Sequence, residues 1–357
     1  MLPNIKTYCL LLIAALFSAC SHDELEQVNT VQNYRPAADF IKNNYDLTLT
    51  YAALQRAGLT ETLNGKGPFT VLAPGNTAWN RMGIMKPEDF GHMNADSLRN
   101  MLNFHILGRR LVVSDIPVNG VDIRYASLYE GRELYTTLAS HYINSPDFPQ
   151  NQLFFNGAFC SKKEVVLSNG TLYLLDKVIK YKPGTVQDWL LSKDEYSIFV
   201  AGLKKFGLWE QFSGPGPFTV FAPDNHAMAA AGMDMNTLNT MTADNYIGAR
   251  LFGVYVFAKR HYFITDFCAF NIIYGTGGFT QNIDGDTFIR SVMGDKNLYL
   301  GTDATYTLSV TDPANPWAGP IRSATGNVES RSDYQADNGL VHHLPGYLIT
   351  PEEARKK

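Results

Sequence analysis

Residues 51–79, YAALQRAGLTETLNGKGPFTVLAPGNTAW, come back as residues 200–228, VAGLKKFGLWEQFSGPGPFTVFAPDNHAM. About half the positions are identical and no gap is needed, because Tyr51 to Val200 and Pro68 to Pro217 are both displaced by 149. A match of this length means that the chain carries a tandem duplication. Whatever it folds into must be a module that works twice at that period.

The repeat predicts its own local structure. Leu54, Leu59 and Leu63 recur at near-helical spacing with polar residues between them. Gly58 suits the left-handed position that closes a helix, and Gly65 with Gly67-Pro68 reads as a turn. Phe69 to Leu72 is a short apolar strand that Ala73-Pro74 should stop, since proline has no N–H for a ladder. Asn76 and its copy Asn225 are placed to bond the following turn or to cap the next helix. The 357 residues allow about two domains, and a chain 45% hydrophobic and 18% charged is globular rather than disordered. A net charge of −4 with no basic run argues against nucleic acid as a partner.

Two motifs carry a family resemblance. Thr70-Val71-Leu72-Ala73-Pro74-Gly75-Asn76-Thr77-Ala78-Trp79 and Thr219-Val220-Phe221-Ala222-Pro223-Asp224-Asn225-His226-Ala227-Met228 resemble the first signature of the fasciclin-like, or FAS1, domain. Asn169 to Val178 and Asn338 to Pro345 resemble its closing motif, an Asn-Gly turn followed by an alternating strand. The resemblance implies an α+β fold: two tandem FAS1-like domains, each a small β-sandwich or wedge flanked by short helices. They are expected over residues 37–182 and 183–351, with 352–357 a solvated tail. Lys182-Pro183-Gly184 is a linker short enough to fix the arrangement. The second copy is longer, and its extra residues are expected in loops at 274–287 and 311–334, rich in Gly, Asp, Asn and Pro. Pro345 stands where copy one has Asp176, so the last strand should bend there or lie at a sheet edge. The family's Tyr-His-like pair, implicated in integrin adhesion in some animal members, falls at Phe104-His105. An offset of 151 puts Val256 opposite His105, so that role is not carried over and His105 reads as a packed core histidine.

Residues 1–19 read as a leader. Lys6 precedes the apolar stretch Cys9–Phe17, which is too short to span a bilayer. Leu16-Phe17-Ser18-Ala19-Cys20 resembles a bacterial lipobox, with Cys20 the lipidated residue and residues 20–36 a polar tether; a plain secretory peptide is the alternative. The run Ser21-His22-Asp23-Glu24-Leu25-Glu26 resembles surface-export signals of Bacteroidetes lipoproteins, or simply a solvated tether.

No phosphate-binding loop, nucleophile elbow or metalloprotease motif occurs, and no cofactor or metal is expected. His342 and His343 are neighbours on a strand and point to opposite faces, so they do not share a metal. Asp284 and Asp286 fit a polar hairpin turn better than a calcium loop. Cys160 and Cys268 read as buried thiols, and Trp79, Trp189 and Trp209 as core. Trp317, in a Pro-rich loop, is either a plug over the core or a platform for a sugar or a protein, and is the one ligand-binding candidate. The expectation is a non-enzymatic adhesion or binding protein, lipid-anchored at the outer membrane or cell surface and recognising extracellular protein or polysaccharide. An accessory glycan-binding component of a Bacteroidetes uptake system is the alternative within binding. An enzyme whose site is assembled from distant residues is the alternative from another class.

Overall fold

The computed structural model describes residues 34–147, 150–275, 278–282, 289–294, 305–311, 319–327 and 331–356. The first half opens with helices at Ala37–Lys42, Thr48–Ala57 and Thr60–Asn64. Gly58 closes the second of these at φ 69°, as its position in the repeat predicts. Leu54, Leu59 and Leu63 are buried beneath them. Strand β1 (Phe69–Pro74) follows and runs two residues further than expected. Pro74 is the last rung against a parallel neighbour, opposite Leu175. On its other flank β1 is paired only at Thr70 and Val71, so the missing N–H of Pro74 breaks no ladder there.

The remaining strands of this half are β2 (Ile106–Leu107), β3 (Ile123–Ala126), β4 (Glu133–Ala139), β5 (Gln152–Phe155), β6 (Ala158–Leu167) and β7 (Gly170–Leu175). They form one sheet in the order β2-β1-β7-β6-β5-β4-β3. Only β1 and β7 run parallel. β6 shifts register at Cys160/Lys162 and again at Lys162/Val165, with Glu164 at φ 53°. Such bulges bend a strand and increase its twist, which lets one sheet serve two cores. Leu172 packs under the helices at Thr48–Ala57 and Ala95–Phe104, while Tyr173 and Leu175 face a second cluster with Phe104, Leu134 and Phe155.

The second half repeats the plan with helices at Val186–Leu191 and Ser197–Lys205, then β8 (Phe218–Pro223) and β9 (Val256–Ala258). An 11-residue helix, Ile264–Tyr274, stands where the first half has only the 3₁₀ turn Val113–Asp115. The segments expected as loops, 274–287 and 311–334, contain strands at Gly278–Asn282 and Arg322–Asn327. β10 (Gly278–Asn282), β11 (Ile289–Gly294), β12 (Thr305–Thr311) and β13 (Arg322–Asn327) form a four-stranded antiparallel sheet. In β12 Tyr306, Leu308 and Val310 are fully buried, alternating with half-exposed Thr307, Ser309 and Thr311. That two-residue period is a strand signal, and it lies just before the second segment expected as a loop. A second sheet has the order β14 (Tyr334–Ala336), β15 (Gly339–Leu344), β8, β9. β15 is therefore an interior strand and not an edge. It ends at Leu344, so Pro345 lies just past the ladder and bends nothing. The tail is not free either: Glu353 pairs with Arg322 at 2.8 Å, Ala354 is buried, and Lys356 N donates to Asn245 O.

Both closing Asn-Gly turns do the same work. Asn169 Oδ1 accepts from Ala37 N, and its Nδ2 donates to Leu63 O and Gly65 O. Asn338 repeats this with Val186 N, Phe212 O and Gly214 O. One amide thus ties the entry helix, the turn before the central strand and the closing hairpin together. The glycine beside it is needed for space: a Cβ on Gly170 would sit 2.1 Å from Phe69 O, and one on Gly339 2.3 Å from Phe218 O. Asn76 and Asn225 reach backwards rather than forwards. Each side-chain oxygen accepts from the first turn of the preceding helix, at Leu49 N and Ile198 N respectively, at 3.0 Å.

Candidate functional site

Arg35 onward forms one compact unit, so the two halves are packed together. The segment leaving β7 pairs in parallel with β14 at Tyr181 and Gln335, and Lys182 N donates to Gln335 O at 2.9 Å. Gly184 N donates to Asp337 Oδ2 and Asp337 N to Gly184 O. Side chains add to this seam. Lys177 pairs with Asp333, which is 3% exposed, and Thr137 Oγ1 donates to Asp266 Oδ1 at 2.8 Å. His261 bonds Asp122 at 2.8 Å while its ring stacks on Tyr135 at 4.0 Å. Ala269, Ile272 and Ile273 of the Ile264–Tyr274 helix bury against Ala139 of β4. Burial drives the Asp266 carboxyl well above the usual carboxylate range, and the charge of Asp122 adds to that. Burial would also raise Asp333, but Lys177 and His342 together hold it below its ordinary value. The short linker therefore lies within a broad interface that fixes the arrangement.

A cavity of about 530 Å³ opens at this junction. One wall is Phe104, Tyr129 and Tyr181, with the Phe104 and Tyr181 rings 4.9 Å apart and Tyr129 edge-on to Tyr181 at 5.7 Å. Trp189 and Tyr334 also line the cavity, with ring centroids 5.0 Å apart. Ile179 and Lys180 line it as well, and the Lys180 Nζ sits 4.6 Å over the Tyr334 ring and donates to Ser332 O. Burial, with Lys177 nearby, brings the Lys180 ammonium down to about 8. Ser97, Asn100, Lys182 and Lys193 complete the rim. The size and the aromatic lining with a few polar groups are those of a small-ligand site.

The residues singled out in the sequence do not gather here. Residues 1–19, Cys20, Trp317, Asp284 and Asp286 all lie outside the described residues. Cys160 and Cys268 are buried thiols in no disulfide, and burial pushes the Cys160 thiol up to about 12. Trp79, Trp189 and Trp209 are buried, but Trp189 also lines the junction cavity. His342 bonds Asp333 N and Tyr262 O, whereas His343 bonds Tyr196 and Arg331, so the two rings serve different neighbours. His105 is buried, with Nδ1 at 2.8 Å from Met101 O and Nε2 accepting from Ile179 N at 3.0 Å. Its counterpart is not Val256. Val71 pairs with Ile106 and Val220 with Val256, so the offset is 150 at this point and Tyr255 matches His105. Tyr255 Oη accepts from Leu348 N at 2.8 Å. Ile179 and Leu348 lie ten residues beyond Asn169 and Asn338, so both copies keep one buried side-chain acceptor for the same amide. The aromatic junction residues were missed because they come from segments remote in sequence. The aromatic and lysine content of the linker, Lys180-Tyr181-Lys182, was the one available signal.

Fold and junction together define a fused pair of duplicated sheet-and-helix modules. The Fasciclin domain profile matches residues 45–181 and 194–350, and the chain belongs to the fasciclin domain family. It is 26% identical over 310 residues to periostin of Homo sapiens, which covers 87% of this chain and 31% of periostin. It is 23% identical over 297 residues to the transforming growth factor-beta-induced protein ig-h3 of Sus scrofa (83% of this chain, 37% of that protein). With stabilin-1 of Homo sapiens it shares 24% over 308 residues (84% and 10%). The chain thus spans between 10% and 37% of these relatives' lengths. Among solved structures, a FAS1 domain pair from the insect cell adhesion molecule Fasciclin I aligns with a TM-score of 0.37 and 18% identity, over 86% of this chain and 97% of that one.

Proposed function

We propose that this protein is a non-enzymatic adhesion or binding protein of the cell surface, held to the outer membrane by lipid on Cys20. It presents its two fasciclin modules to an extracellular protein or polysaccharide. The observation that carries the reading is the fusion of the modules into one body across the Lys177–Asp333 and Thr137–Asp266 contacts. Such a pair offers a partner a pre-arranged surface without the ordering cost of two loosely tethered beads. The lipobox-like segment ending at Cys20 supports the anchor. Two acyl chains would hold where one holds only marginally. Among the described residues no helix is long and apolar enough to cross a membrane. Cell fractionation of wild type and Cys20→Ala, with mass spectrometry of the N-terminal peptide, tests the anchor. Wild type should pellet with membranes and carry acyl mass, and the variant should be soluble. A variant that still pellets would remove the lipid anchor from the proposal.

A further inference from the structure

We infer that the junction cavity binds a small amphipathic anion: a carboxylate or sulfonate on a flat, apolar ring body. The inference does not depend on the anchor or on which macromolecule the surface recognises.

Three observations lead there. The cavity, about 530 Å³, has the volume of a single small ligand rather than of a polymer chain. Its body is apolar and aromatic: half-buried Tyr129, Tyr181 and Tyr334 line it, with buried Phe104 packed on Tyr181 and buried Trp189 on Tyr334, so a flat ring finds aromatic surface to pack on. Its charge has one sign: Lys180, Lys182 and Lys193 line it, and among the described residues no Asp or Glu does.

The lysines are not equivalent. Lys180 is held by Ser332 O and the Tyr334 face, and gives the cavity a positive floor. Lys182 donates to Ser192 Oγ at 2.6 Å, a neutral acceptor that an anionic group can replace. Lys193 is exposed at the rim. An anion at the mouth therefore meets Lys182 and Lys193 while its ring body packs on the aromatic lining. A neutral sugar fits less well, because its hydroxyl donors call for acceptors, and the lining offers only Asn100, Ser97, Ser192 and tyrosine hydroxyls without a carboxylate.

The test uses the full-length chain carrying Cys20→Ala, so that no detergent competes for the site. The probes are 1-pyrenebutyrate and its uncharged analogue 1-pyrenebutanol, followed by pyrene fluorescence. The butyrate should bind saturably at one site, and the alcohol about tenfold more weakly, the discrimination expected of two partly exposed charge pairs. Lys182→Gln with Lys193→Gln should weaken the butyrate about tenfold and leave the alcohol unchanged. Ser97→Trp, which puts an indole at the rim, should abolish binding of both while the melting temperature holds. Equal affinity for acid and alcohol, or undiminished binding to Ser97→Trp, would overturn the inference. So would displacement of the probe by trigalacturonate or an acidic peptide at lower concentration than by unlabelled naphthalene-2-carboxylate. Failure here would leave the surface-binding proposal standing, since that rests on the fusion of the two modules and is tested by fractionation and cell adhesion.

Discussion

His105 and Tyr255 perform one task with different chemistry, and pH separates them. In the folded chain burial holds the His105 imidazole down to about 4, against about 6.5 when unfolded. The unfolded state thus binds the proton more readily, and stability falls as pH drops from about 6.5 towards 4. Between pH 7 and pH 5 this one group withdraws about 2 kcal/mol from the wild type. His105→Phe keeps a ring in the core but leaves Ile179 N–H without its acceptor, which costs about 1–3 kcal/mol. It also removes the titration. Urea unfolding should therefore show His105→Phe destabilised by about 2 kcal/mol at pH 7 and nearly equal to wild type at pH 5. Other groups such as His342, which burial also lowers to about 4, are present in both proteins and cancel in the difference. Tyr255→Phe removes the acceptor for Leu348 N but no group that titrates in this range, so its cost should be the same at both pH values. A His105→Phe difference independent of pH, or a Tyr255→Phe difference that closes at pH 5, would refute the reasoning.

Three further substitutions test the frame. Asn338→Ala deletes three hydrogen bonds at a buried turn and should cost about 2–3 kcal/mol in urea unfolding; a loss below about 0.5 kcal/mol would deny the turn its tying role. Lys177→Met removes the ammonium that pairs with the buried Asp333 carboxylate and should destabilise the seam by about 3 kcal/mol, read by calorimetry as a lower melting temperature. Gly170→Ala places a Cβ 2.1 Å from Phe69 O and should prevent β1 and β7 from pairing, so that little folded protein is recovered; normal yield and melting would contradict the packing described.

The duplication, the helix stop at Gly58, the central strand and the Asn-Gly hairpins were legible because each rests on local chemistry repeated twice. The direction of the Asn76 and Asn225 bonds was not, since an Asn after a strand can serve either the helix ahead or the one behind, and only packing decides. The match of His105 with Tyr255 was hidden by a shift from an offset of 150 at the strand to 151 just beyond it, where Thr70 and Thr219 bond Arg109 O and Arg260 O. Strands β10 and β13 fall in segments read as loops because Gly, Asp, Asn and Pro are frequent in 274–287 and 311–334. The junction cavity left only the run Lys180-Tyr181-Lys182 as a trace in the sequence: Tyr129, Tyr181 and Tyr334 meet only after both modules have folded and docked.

The most direct test of the central proposal is adhesion by living cells. Cells displaying the wild-type protein, cells lacking it and cells carrying Cys20→Ala would be compared on arrays of extracellular proteins and polysaccharides. The account predicts that at least one surface retains wild-type cells, and that the deletion and Cys20→Ala cells fall to a common background. Equal retention of all three on every surface would contradict it.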